Sequence, residues 1–157
     1  MKRLYPTRPL VKPGNAEARH RLKVPQFVGT PGWLHLTHNE SGDPIAMFSD
    51  LRDQTELVYL VMDERVFSDT TLRVVKLGPW RYVAYDLLYL NGKQVHQTLS
   101  FPERQQKLAD LLEAFHFPDL IALELPDHVP QWDTPVRGYE FYDDAPGTLG
   151  VFCPVKE

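Results

Sequence analysis

The side chains that could act as nucleophiles, general bases or metal ligands are spread along the chain. His35 and His38 lie three residues apart in a strand-like run, so their side chains would point to opposite faces and could not share a metal ion. Cys153 is the only cysteine, which excludes an intrachain disulfide and a four-cysteine zinc site. No Ser-His-Asp or Cys-His arrangement can be assembled from the sequence. The residue types alone therefore predict no catalytic residue and no metal site.

The basic residues offer one local cluster, which consists of Arg19, Arg21 and Lys23. Such a cluster could hold the phosphate backbone of a nucleic acid, and a solvated arm is the other explanation. The chain carries 17 lysines and arginines against 21 acidic residues, and its formal net charge is -4. Global positive charge is therefore excluded as a basis for nucleic-acid binding, and the cluster is the candidate contact.

Short apolar and β-branched runs separated by turn residues predict a sheet-rich body. Residues 33–38 and 45–48 predict a β-hairpin, because Asn39 to Asp43 supply turn residues between them. Further strands are predicted at residues 57–62, 71–77, 80–90, 121–125, 136–142 and 149–155. Strands at this spacing are typical of antiparallel sheets that pack into a sandwich-like body.

One helix is predicted after Ser100, which forms a capping-box sequence with Glu103. An apolar stripe follows at helical spacing and consists of Leu108, Leu111, Leu112 and Phe115. We expect the helix to end before Pro118.

Residues 85–93 read Tyr-Asp-Leu-Leu-Tyr-Leu-Asn-Gly-Lys, and the helix start at residues 102–104 reads Pro-Glu-Arg. This order of strand, Asn-Gly turn, second strand and capped helix resembles a segment of ATP-dependent DNA ligases, RNA ligases and mRNA capping enzymes. The resemblance covers residues 29–156 and leaves out that family's oligonucleotide-binding domain. It implies an α+β fold of antiparallel sheets with packed helices, similar to the nucleotidyltransferase (adenylation) domain in reduced form.

The resemblance also implies vestigial nucleotide contacts at three residues. Tyr85 takes the place of the aromatic residue that lies against the purine, although a core aromatic is the alternative. Glu64 takes the place of a glutamate that contacts the ribose or metal, although it could instead be solvated or pair with an arginine. Lys156 takes the place of a phosphate-binding lysine, although a solvated side chain would also explain it.

The family's nucleophilic lysine has no counterpart in this comparison. That lysine attacks the α-phosphorus of ATP or GTP and holds the nucleotide as a phosphoramidate. The resemblance places Gly29 at its position, and it places Arg137 and Tyr142 where the family has a glutamate and a second lysine. Lys12 and Lys23 are alternative nucleophiles, but their spacing and neighbours do not fit the motif.

We therefore expect an irregular N-terminal arm at residues 1–26 and a single nucleotidyltransferase-like core at residues 27–157. The expected function is a catalytically degenerate module that binds nucleic acid or a protein partner. The alternatives are an active ligase or nucleotidyltransferase subunit with a displaced lysine, and a purely structural protein-interaction domain. No cofactor is expected, and ATP or GTP with Mg²⁺ would bind only in an open cleft. The composition predicts a cytoplasmic protein without a membrane span.

Overall fold

Ten strands and one α-helix make up the part of the chain that the computed structural model describes, residues 22–142 and 151–154. The strands are β1 (Leu22–Phe27), β2 (Thr30–His38), β3 (Pro44–Asp50), β4 (Thr55–Val58), β5 (Thr70–Gly78), β6 (Arg81–Leu90), β7 (Lys93–Gln94), β8 (Ala122–Glu124), β9 (Val136–Tyr142) and β10 (Val151–Pro154). Helix α1 spans Phe101–Phe115, and short 3₁₀ turns lie at Glu64–Val66 and Pro126–His128.

The strands form two sheets. The larger sheet has seven strands in the order β4-β3-β2-β5-β6-β7, with β8 paired to the other end of β6, and it is curled into a half-barrel. The smaller sheet has the order β1-β9-β10. All pairs are antiparallel except β6 with β8, because a crossover through α1 separates those two strands in the chain.

The predicted α+β class with packed helices is wrong. The described residues are mostly β, with 50% in strands, 17% helical and one α-helix. The physical reason is visible in the sequence, because only residues 101–115 combine a helix cap with an apolar stripe of helical period. The other apolar runs are short and β-branched, so they form strands and leave no further helices to cover the sheets.

Helix α1 confirms the prediction from its cap. The Ser100 side chain accepts a hydrogen bond from the Glu103 backbone N–H, and the Glu103 carboxylate accepts one from the Ser100 N–H. Leu108 and Leu111 are buried, whereas Leu112 and Phe115 are partly buried against the same core. The cap fixes where the helix begins, and the stripe fixes which face packs on the sheet.

The predicted hairpin is also confirmed, since β2 and β3 pair in the register Thr37 with Ile45 and Trp33 with Ser49. The predicted arm at residues 1–26 ends in β1, which pairs with β9 from Leu22 onward. The remainder of that arm lies outside the described residues. Among the described residues, no helix is long and apolar enough to cross a membrane.

Two apolar clusters lie on opposite faces of the larger sheet, as the alternation of side chains along β6 requires. The first cluster lies under α1 and includes Tyr82 and Ala84 from β6. The second cluster lies between the two sheets and includes Val83 and Tyr85. The second cluster contains Tyr85, which the resemblance assigns to a nucleotide site. The packing of this cluster therefore bears on whether a nucleotide could bind there.

Candidate binding sites

Tyr85 is fully buried between the two sheets. Its hydroxyl donates a hydrogen bond to the Pro25 carbonyl oxygen at 2.9 Å and accepts one from the Phe27 N–H at 3.1 Å. Both partners belong to β1, so the phenol joins the smaller sheet to the larger one. A purine could stack on this ring only after β1 had moved away from β6.

A buried polar network lies in the same space between the sheets. Arg73 on β5 donates from Nη2 to Glu140 Oε1 at 2.7 Å and from Nη1 to Glu140 Oε2 at 3.1 Å. The Tyr142 hydroxyl donates to Glu140 and accepts a hydrogen bond from Arg73. Gln26 Nε2 also donates to Glu140. These contacts join β1, β5 and β9 at the level of Tyr85, whose ring centroid lies 5.0 Å from the Arg73 guanidinium.

Gly29, which the resemblance aligns with the nucleophilic lysine, has no room for a side chain. A Cβ atom at this position would clash with the Lys76 carbonyl oxygen and would lie 2.8 Å from Cγ1 of Val75. The obstacle is a backbone atom of β5, which cannot move aside as a flexible side chain can. The sequence has no lysine at this position, and the backbone of β5 leaves no space for one.

Glu64 lies away from Tyr85. It is exposed, and it belongs to a 3₁₀ turn whose Val66 packs in the first cluster, on the opposite face of the larger sheet. Beside it, hydrogen bonds from Arg65 lower the pKa of Asp63 to about 2. The structure therefore does not bring Glu64 and Tyr85 into one site.

Of the other predicted contacts, only Lys23 lies among the described residues. Lys23 is exposed on β1, and its Nζ lies 4.3 Å from the centroid of the Tyr139 ring. Arg19, Arg21 and Lys156 lie outside the described residues. Of the predicted basic cluster, the structure therefore describes only Lys23.

Three histidines that are buried or half-buried have pKa values below the ordinary value. Burial lowers the pKa of His35, although Asp69 opposes the shift. Burial also lowers the pKa of His116, whose Nε2 lies 3.3 Å from the Ile121 carbonyl oxygen. Burial and the nearby Arg104 lower the pKa of His96. In residues 22–142 and 151–154, no histidine, cysteine, aspartate and glutamate side chains form a group that could hold a metal ion.

An exposed groove lies at the turn between β5 and β6, and we call it the indole groove. It has a volume of about 450 Å³. Its apolar lining consists of Val28, Leu77, Pro79, Trp80 and Pro135, and its polar lining includes Arg81, Asp133 and Thr134. Trp80 is 55% exposed, and Trp132, which precedes the lining residue Asp133, is 87% exposed. Such exposure is unusual for tryptophan, which is highly buried on average.

One of the two charged side chains in the indole groove is paired with an opposite charge. Arg81 donates from Nη2 and Nε to the Glu124 carboxylate at 3.2 and 3.3 Å. The Asp133 carboxylate accepts a hydrogen bond from the Thr134 hydroxyl at 2.8 Å. The groove therefore combines apolar surface with one carboxylate and a neutralised arginine.

No protein-family model matches the chain, and no curated protein matches it significantly.

The indole groove was missed by reasoning from sequence. The strand pattern predicts Trp80 as the first residue of a strand, whereas Trp80 lies in the turn and β6 begins at Arg81. A signal was nevertheless present around Trp132, because this large apolar residue stands in a loop between Pro130 and Pro135.

Proposed function

We propose that the chain is a non-catalytic relative of the ligase and capping-enzyme family that works as a protein-binding module. The indole groove is its docking surface, and the occupant is an extended apolar segment of a protein partner. The exposure of Trp80 and Trp132 beside an apolar groove is the observation that carries this proposal. Tryptophan is among the residues most enriched at the energetic centres of protein interfaces. The kinship itself rests on the sequence of residues 85–113.

The absence of catalysis is supported by the space between the sheets. Transfer of a nucleotide to the protein requires a lysine amine beside the α-phosphorus. The backbone of β5 closes the place of that lysine at Gly29, and buried contacts of Tyr85 and Glu140 occupy the region assigned to the nucleotide. Breaking those contacts would expose a buried ion pair and an apolar cluster before any nucleotide could enter.

A protein partner is favoured over nucleic acid by the charges of the groove. Nucleic acids bind through phosphate contacts to lysine and arginine. Here the lining arginine, Arg81, is already paired with Glu124, and Asp133 would repel a phosphate. An apolar peptide segment has no such requirement.

We expect the protein to remain unlabelled after incubation with α-³²P-labelled ATP or GTP and Mg²⁺. Without a lysine beside the α-phosphorus, no phosphoramidate can form. Denaturing gel electrophoresis and autoradiography measure the label, and an active ATP-dependent ligase provides the positive control. A covalent label on this protein that is lost at acid pH would instead support the alternative of an active enzyme with a displaced lysine.

Replacement of Trp80 by alanine is expected to weaken binding of peptides selected on the wild-type protein by about 2 kcal/mol, or roughly 30-fold. Display of a random peptide library supplies the ligands, and fluorescence anisotropy measures their affinities. Tyr59→Ala is the matched control, because Tyr59 is 72% exposed and does not line the groove. Selected peptides that bind Trp80→Ala and wild type equally would contradict the proposed docking surface.

A titration with oligonucleotides distinguishes a protein partner from nucleic acid. Bases could stack on an exposed indole, which is the one feature of the groove that favours single-stranded nucleic acid. Labelled single- and double-stranded oligonucleotides are therefore titrated at two salt concentrations. Binding that falls steeply with salt and is lost in Trp80→Ala would assign the groove to nucleic acid instead of protein.

A further inference from the structure

A second groove lies at the C-terminal end of β6. It is bounded by strand β7, the segment that follows β7, and helix α1. We call it the lysine groove. Its volume is about 590 Å³, and Leu90, Val95 and Leu99 form its apolar floor. Lys93 on β7 and Lys107 on α1 line its sides, and both residues are exposed. The groove therefore places positive charge on two different elements around an apolar surface.

We propose that the lysine groove binds an acidic amphipathic peptide segment of a protein partner. Apolar side chains of that segment would cover the floor, and its carboxylates would meet the two lysines. This surface is independent of the indole groove and does not require the proposed function there to be correct.

Charge complementarity identifies the occupant. The whole chain has a formal net charge of -4, whereas both charged residues that line this groove are lysines. Glu103 on α1 interacts electrostatically with Lys107 but does not line the groove. The remaining polar lining consists of Gln94 and Thr98, neither of which carries a charge. A partner segment with carboxylates beside its apolar anchors would thus be attracted, whereas a basic segment would be repelled.

The apolar floor explains why charge alone is insufficient. Leu90 and Leu99 are partly buried against the first cluster, and Val95 is a member of it, so the floor is anchored in the core and cannot fold away. Its position on ordered elements favours a preformed groove, and preformed apolar surface limits the ordering cost of binding. The ligand must therefore carry apolar side chains as well as carboxylates.

The test uses the full chain and a fluorescein-labelled peptide in which a pair of leucines is flanked on both sides by glutamates. Anisotropy titrations at low salt are expected to show binding to the wild-type protein. Lys93→Glu and Lys107→Glu are each expected to weaken it by about fivefold, since each removes an attraction of surface-pair strength and adds a repulsion. Added salt is expected to weaken binding to the wild type.

Arg52→Glu is the matched control, because Arg52 is exposed in the turn before β4 and does not line the groove. It is expected to change the affinity by less than twofold. Peptides with lysines in place of the glutamates, or serines in place of the leucines, are expected not to bind. The proposal fails if the acidic peptide does not bind, if the serine peptide binds equally well, or if Arg52→Glu weakens binding as much as Lys93→Glu. Trp80→Ala is expected to leave this affinity unchanged, so the two grooves are tested separately.

Discussion

Replacement of Arg104 by alanine is expected to lower the free energy of unfolding by about 3–5 kcal/mol. Arg104 lies on α1 and is fully buried, and its guanidinium donates from Nε and Nη2 to the two Asp86 carboxylate oxygens at 2.7 and 3.0 Å. Its Nη1 donates to the Leu99 carbonyl oxygen at 2.8 Å. Without the guanidinium, the Asp86 carboxylate on β6 would remain buried without its counter-charge. Urea denaturation followed by circular dichroism measures the change.

Two further variants distinguish the ion pair from simple packing. Arg104→Lys keeps the charge but cannot reproduce the two parallel hydrogen bonds, so an intermediate loss is expected. The double variant Arg104→Met, Asp86→Leu removes both charges and is expected to be more stable than Arg104→Ala, since no uncompensated charge remains. If Arg104→Ala costs less than about 1 kcal/mol, a value typical of a surface ion pair, then the pair does not hold α1 on the sheet.

The Arg104–Asp86 pair also gives the ligase-like segment a structural meaning. Asp86 belongs to the strand part of that segment and Arg104 to its helix start, and the two lie 18 positions apart in the chain. Their contact holds the first turn of α1 against β6. In this protein, both residues of the segment thus have a role in packing the helix on the sheet.

The helix and most strands were predictable because their signals are local. The prediction was wrong for residues 59–62, which lie beyond the end of β4, and for β1, which begins within the predicted irregular arm. The Ser100 to Glu103 capping box depends on hydrogen bonds over three residues, and the structure contains both. Residues 136–142 were predicted as a strand from β-branched and aromatic residues alone, and β9 has these bounds. The prediction of the fold class was wrong because the class depends on how many helices cover the sheets. The resemblance implied several packed helices, whereas the local patterns indicated only one.

The candidate site was less predictable, because burial depends on distant partners. An aromatic residue in a strand has the same local pattern whether its ring faces a cleft or a core. The burial of Tyr85 is decided by β1, which lies 58 to 60 positions away in the chain. The exposure of Trp80 likewise depends on a distant segment, because the loop before β9 lines the groove and leaves the indole 55% exposed. Local sequence therefore locates both aromatic residues but cannot assign either to a surface.

Replacement of Glu140 by glutamine is expected to cost about 3–5 kcal/mol and to loosen the contact between the two sheets. The Arg73 guanidinium would keep its charge in a buried position while losing both ionic hydrogen bonds to the carboxylate. Chemical denaturation measures the stability, and native-state hydrogen exchange locates the loosening. Amide protons of β1 and β9 are expected to lose more protection than those of β2 and β3, because the network joins β9 and β1 to β5.

Tyr142→Phe is the matched control for that network, because it removes one hydroxyl and leaves both charges in place. We expect it to cost about 2 kcal/mol, because the hydroxyl makes two buried hydrogen bonds, one to Glu140 and one from Arg73, at about 1 kcal/mol each. The double variant Arg73→Met, Glu140→Leu should recover much of the loss of Glu140→Gln, since both charges are then absent. Equal losses for Glu140→Gln and Tyr142→Phe would show that the ion pair contributes no more than a neutral contact. The space between the sheets could then open at low cost, and the main structural argument against a nucleotide site at Tyr85 would be lost.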